Sequence, residues 1–138
     1  MSFYTPILKK ATKLPFFSSL ITAGFPSPAE DHVEQSLDIT ELLVTNPPAT
    51  FYLRVTGESM LDAGILEGDI LIVDRSKTAK HGEIIVAELN TEFTVKRLYN
   101  RDGKVILQAE SQHHDSISVQ ADDDFNVFGV VTGVARQL

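Results

Sequence analysis

The feature that most restricts the fold is a rhythm of short apolar runs that starts at residue 51 and continues almost to the C-terminus. "FYLRVT", "DILIVD", "GEIIVAEL", "TEFTVKRL", "KVILQA" and "NVFGVVTGVA" are rich in β-branched and aromatic residues, and Gly, Asn and Asp bound them. Asn90-Thr91 and Asp102-Gly103 stand between neighbouring runs as hairpin connections, the second with the Asp-Gly pair that suits a tight turn. The pattern predicts an antiparallel β domain.

Upstream of "NPPAT" the signals change to those of helices. In "SPAE", Ser27 fits an N-cap, Pro28 the first helical position and Glu30 the closing member of a capping box. In "LDITELL", Asp38 is a cap, Glu41 stands at the third helical position, and Leu37 and Leu42 are spaced for a hydrophobic staple. Both helices are expected to be short, so the β domain carries a largely non-β arm.

Composition removes several function classes. The 138 residues are 43% apolar and 22% charged, ordinary for a globular chain of one domain with an appendage. No apolar run reaches the 18 or more residues of a membrane span. "LPFFSSLITAG" is broken by Pro15 and by serines, which makes a poor signal-peptide core, so the expected compartment is the cytoplasm. The absence of cysteine excludes disulfides, thiolate catalysis and Cys-based zinc sites. His32, His81, His113 and His114 lack metal-ligand spacing and are expected at the surface, so neither a metal nor a cofactor is expected. The formal charge of −7 argues against a broad DNA-binding face, which needs clustered Lys and Arg. That charge divides into +3 on residues 1–23, which hold three lysines and no acid, and −10 on the rest. A cut between the two would separate a basic arm from an acidic body.

Three short stretches carry candidate chemistry. "VTGESMLDAGILEGD" places Ser59 after Gly57-Glu58 at the end of a strand, where a sharp turn can expose its hydroxyl and aim backbone N–H groups at an oxyanion. It is not the G-x-S-x-G elbow, because position 61 is Leu, and a serine capping "MLDAGI" fits the same residues. Serine needs a base, and in "TEFTVKRLYN" alternation puts Thr94, Lys96 and Leu98 on one face of a strand, opposite Phe93, Val95 and Arg97. A lysine in apolar surroundings loses its proton more readily and can act as that base; a lysine that snorkels to solvent cannot. In "LITAGFPSPAED", Ala23-Gly24 fits either a turn or a peptide bond presented for cutting, since a pair with almost no side chain lets a nucleophile approach closely.

Taken together, "GFPSPAEDHVEQSLD", "GESMLDAGILEGDILIVD", "HGEIIVA", "EFTVKRL" and "VFGVV" resemble, in order and spacing and over nearly the whole chain, the LexA/UmuD superfamily of self-cleaving Ser-Lys peptidases. The resemblance implies a mainly β fold of curved antiparallel sheets with an N-terminal arm (residues 1–23), a linker with short helices (24–45) and a peptidase and dimerisation domain (46–138). It implies that Ser59 is the nucleophile, Lys96 the general base, the N–H groups of Glu58 and Ser59 the oxyanion hole, and Ala23-Gly24 the bond cut. It further implies a homodimer of the SOS response, activated by a RecA filament on single-stranded DNA. The processed body would serve a UmuC-type error-prone polymerase in translesion synthesis, without a cofactor. The 23 residues before Gly24 are too few for a repressor's helix-turn-helix domain. Two rival expectations stand beside this one: a signal-peptidase-like protease acting on other chains, and a non-catalytic dimeric adaptor of a DNA polymerase.

Overall fold

The computed structural model describes residues 3–4, 12–17 and 33–138. It divides into two compact units, one formed by Leu8–Thr45 and the other by Met1–Ile7 with Asn46–Leu138.

In the first unit, β2 (Leu14–Phe17) pairs antiparallel with β3 (Val33–Leu37), Leu14 opposite Leu37, and α1 (Ile39–Leu43) follows. The start of α1 obeys the expected capping chemistry. Asp38 is buried, and its Oδ1 accepts from Thr40 N at 2.9 Å while Oδ2 accepts from Thr12 N at 3.1 Å. The expected staple is not closed, since Leu42 is 59% exposed. The arm is also less free of strands than expected, because Leu14–Phe17 pairs with a segment some twenty residues further on. Pro15 is tolerated there because a two-stranded ribbon leaves one side of each strand without a ladder. The helix expected from Ser27, the residue His32 and the Ala23-Gly24 bond lie outside the described residues.

The second unit is one antiparallel sheet. Its strands are β1 (Phe3–Tyr4), β4 (Thr50–Arg54), β5 (Ile70–Asp74), β6 (Ile84–Leu89), β7 (Glu92–Arg101), β8 (Lys104–Gln108), β9 (Ile117–Ser118) and β10 (Phe125–Ala135). They lie in the order β1-β4-β5-β10-β6-β7-β8-β9. All six runs read as strands are strands. β10 joins the two halves: Val130–Ala135 pairs with β5, Phe125–Val130 pairs with β6, and the register breaks once in each half. At the first break stands Gly129, where a Cβ would meet Val73 Cγ1 at 2.6 Å and Asp74 O at 3.1 Å. Only glycine lets β10 pass that close to β5.

Alternation along the strands builds two apolar clusters. Leu53, Val55, Met60, Ile65, Leu71, Val73, Val86 and Val95 form one, and Ile85, Ala87, Leu98, Leu107 and Val130 the other. Both hairpins turn where expected. Asn90 and Thr91 have φ of 50° and 70°, and Asp102 and Gly103 have 53° and 74°. Left-handed backbone at the β-branched Thr91 is strained by about 1–2 kcal/mol. It is held by Asn90, whose side chain donates to Asp123 Oδ1 at 2.9 Å and accepts from Asp124 N at 2.8 Å. The C-terminal end is fastened by Arg136, whose guanidinium grips both carboxylate oxygens of buried Asp69 at 2.6 and 2.8 Å. That grip holds the Asp69 carboxyl below its ordinary range despite burial.

Candidate active site

The loop after β4 is closed at its base by two backbone bonds, Val55 N to Asp69 O and Gly68 N to Val55 O, both 2.9 Å. Within it the chain turns at Gly57, whose φ of +85° suits glycine and few others. Met60 is 2% exposed and anchors the turn in the first apolar cluster. A 3-10 turn over Leu61–Ala63 follows. Ser59 is thus set between a glycine that bends the chain and a methionine that pins it. Its carbonyl accepts from Glu110 N at 2.8 Å, and Asp62 N donates to Glu110 O at 2.7 Å. Among the described residues, the N–H groups of Glu58 and Ser59 have no acceptor, so both remain available to an incoming oxygen.

Lys96 comes from the middle of β7, in register opposite Ile85 of β6. It is 7% exposed. Its Nζ lies 3.0 Å from Ser59 Oγ, 2.7 Å from Thr94 Oγ1 and 3.1 Å from Val95 O. These partners are neutral oxygens, and no ion pair to Lys96 occurs among the described residues. Burial without a counter-charge pushes its pKa below the usual lysine value. The two side chains singled out from the sequence therefore meet, and the lysine is the group whose proton affinity its surroundings weaken.

They meet beside a cleft of about 390 Å³ lined by Val55, Thr56, Gly57, Ser59, Met60 and the segment Glu92–Val95. Of the described histidines, His81 accepts at Nδ1 from Asn100 N, the His114 ring lies against Ser111 Oγ, and His113 donates its backbone N–H to the same hydroxyl. No group of three or more metal-ligating side chains occurs among the described residues. The sequence reading passed over Thr94 as a site residue, although alternation places it on the Lys96 face. Its hydroxyl makes the shortest of the lysine's contacts.

A serine hydroxyl against a buried lysine without a counter-charge among the described residues, with N–H groups beside the serine that have no acceptor among them, suits acyl transfer to the serine. A family model described as Peptidase S24-like matches residues 15–132. The chain belongs to the peptidase S24-like family. Relatives of this S24-like chain bear out the resemblance read from its motifs. The protein ImpA of Salmonella typhimurium is 44% identical over 89% of this chain and 83% of its own length. The protein MucA of the same organism is 43% identical over 86% and 82%. A LexA repressor of Clostridium novyi is 36% identical over 94% of this chain but only 62% of its own length. No helix among the described residues is long and apolar enough to cross a membrane.

Proposed function

We propose that this S24-like chain cuts itself between Ala23 and Gly24 with Ser59 as nucleophile and Lys96 as general base. The observation that carries the reading is the 3.0 Å contact between Ser59 Oγ and the amine of a buried lysine whose partners among the described residues are neutral. Neutral Lys96 takes the proton of Ser59 as Oγ bonds to the Ala23 carbonyl carbon. The N–H groups of Glu58 and Ser59 stabilise the oxyanion that forms. When the Ala23-Gly24 bond breaks, Lys96 returns the proton to the Gly24 amine, leaving residues 1–23 as an ester on Ser59. Water then attacks the ester, Lys96 takes its proton, and Ser59 is restored as the Ala23 carboxylate leaves. No cofactor enters.

The likeness to ImpA, MucA and a LexA repressor supports placing this chemistry in the SOS response. In that reading a RecA filament on single-stranded DNA favours the cleavage-competent arrangement and contributes no catalytic group. The acidic body, residues 24–138, then forms a homodimer in the cytoplasm and serves a UmuC-type polymerase in error-prone translesion synthesis. The test is intact-mass analysis of the full chain at neutral and alkaline pH and with RecA filaments, beside Ser59→Ala and Lys96→Ala. Fragments 1–23 and 24–138 from wild type only are expected. No fragments under any condition, or equal cutting by the variants, would leave a non-catalytic adaptor.

A further inference from the structure

Lys96 and Arg97 are consecutive in β7, so their side chains leave opposite faces of the strand. Lys96 meets the Ser59 hydroxyl; Arg97 reaches the residue that holds the Ser59 backbone. Its Nε donates to Glu110 Oε1 at 2.5 Å, and its Nη1 donates to Gly82 O at 2.7 Å. Glu110 brackets the serine turn with its own main chain, N–H to Ser59 O and C=O from Asp62 N. The β7–β8 ladder ends at the pair Arg97 and Gln108, so Glu110, two residues further on, has left it. The side-chain pair takes over there and extends the reach of β7 to the turn that carries the nucleophile.

We infer that the Arg97–Glu110 pair is a positioning device that sets the distance between Ser59 and Lys96 by referring both to β7, while touching neither reacting atom. The inference rests on the Ser-Lys peptidase reading above. With the pair gone, Glu110 is tied to β7 only through Gln108, two residues back in the ladder, and the Ser59 turn can shift against a base that stays in place. A displacement of about 1 Å in such an arrangement lowers a rate by roughly 100-fold.

The test is the first-order rate of self-cleavage of the full chain, followed by intact mass across pH at a temperature where circular dichroism shows each variant fully folded. Arg97→Ala should lower the high-pH plateau by about 10- to 100-fold. The midpoint, which belongs to Lys96, should stay in place. Glu110→Gln keeps the shape and a weaker bond to Arg97, should fall by less, and carries the test if Arg97→Ala does not fold. Cutting within about twofold of wild type by folded variants, or a moved midpoint with an intact plateau, would overturn the inference. A wild type that does not cut, or a Ser59→Ala variant that cuts equally, overturns the peptidase reading itself and this inference with it. A wild type that cuts beside unaffected variants overturns only the positioning role.

Discussion

Replacing Lys96 by Met should make the folded chain more stable, and the gain should depend on pH in one direction only. Lys96 is 7% exposed and its amine has neutral partners alone among the described residues, so folding at neutral pH moves a group that prefers its charge out of water with no counter-charge there to offset the cost. Apolar replacement of buried ion pairs is neutral or stabilises by about 1–4 kcal/mol, and a lone buried charge has no Coulombic attraction to lose in the exchange. Against this stands about 1 kcal/mol for the lost hydrogen bond to Thr94, which lines the cleft and can turn its hydroxyl to water. The net gain is about 1–3 kcal/mol, or a Tm increase of roughly 3 to 10 °C. Because burial lowers the Lys96 pKa, the folded chain releases this proton before the unfolded chain does, and the unfolded state binds more protons up to about pH 10.5. The Lys-bearing chain therefore gains stability through that window, and the advantage of Lys96→Met shrinks as pH rises. Urea denaturation at several pH values, with Ser59→Ala in both chains to block cutting, measures it. A less stable Met variant at neutral pH, or a difference that stays constant or widens toward pH 10.5, would refute the reasoning.

Thr94→Val removes the shortest contact to the Lys96 amine and should lower the self-cleavage plateau by about tenfold, with the pH midpoint moving down because an acceptor for the charged form is gone; the pH–rate profile by intact mass reads both. Gly129→Ala puts a methyl group 2.6 Å from Val73 Cγ1 and should destabilise by about 1–3 kcal/mol in urea denaturation, with slower-folding or aggregated protein as a visible accompaniment. Arg136→Ala leaves the Asp69 carboxylate without its cation and should lower stability at neutral pH, read as a lower urea midpoint. Since the depressed Asp69 pKa contributes stability that is present above 3.8 and lost as pH falls below it, the difference between wild type and Arg136→Ala should narrow in acid, as acid titration by circular dichroism would show.

Much of the sheet was legible because it is written in local terms. β-branched runs bounded by turn residues mark β4 to β8 and β10, and Asn90-Thr91 and Asp102-Gly103 mark two of their connections. The strands that escaped are the two-residue β1 and β9, too short to show alternation, and the β2–β3 ribbon, whose partners are far apart in sequence. The α1 cap was legible to the residue, since Asp38 acts on Thr40 two positions away. The site divides along the same line. Alternation put Thr94 and Lys96 on one face, but whether Lys96 reached solvent or a serine could not be settled from the strand alone. The bond from Glu110 N to Ser59 O, which brings the turn to the base, joins residues 51 positions apart and leaves no local trace.

Val130 is the residue at which β10 changes neighbours, paired with Asp74 of β5 on one side and Ile85 of β6 on the other. Ser59 hangs from the β4–β5 side of that hand-over and Lys96 from the β6–β7 side. A fluctuation that frays an outer strand leaves the hand-over intact; one that frees β10 leaves the bonds of Glu110 to the serine turn as the remaining tie between the two sides. Hydrogen exchange should therefore find the amides around Val130 among the slowest in the sheet, opening only with the whole domain. The 3.0 Å contact would then persist as long as the domain is folded, and its lifetime would be that of the fold rather than that of a loop.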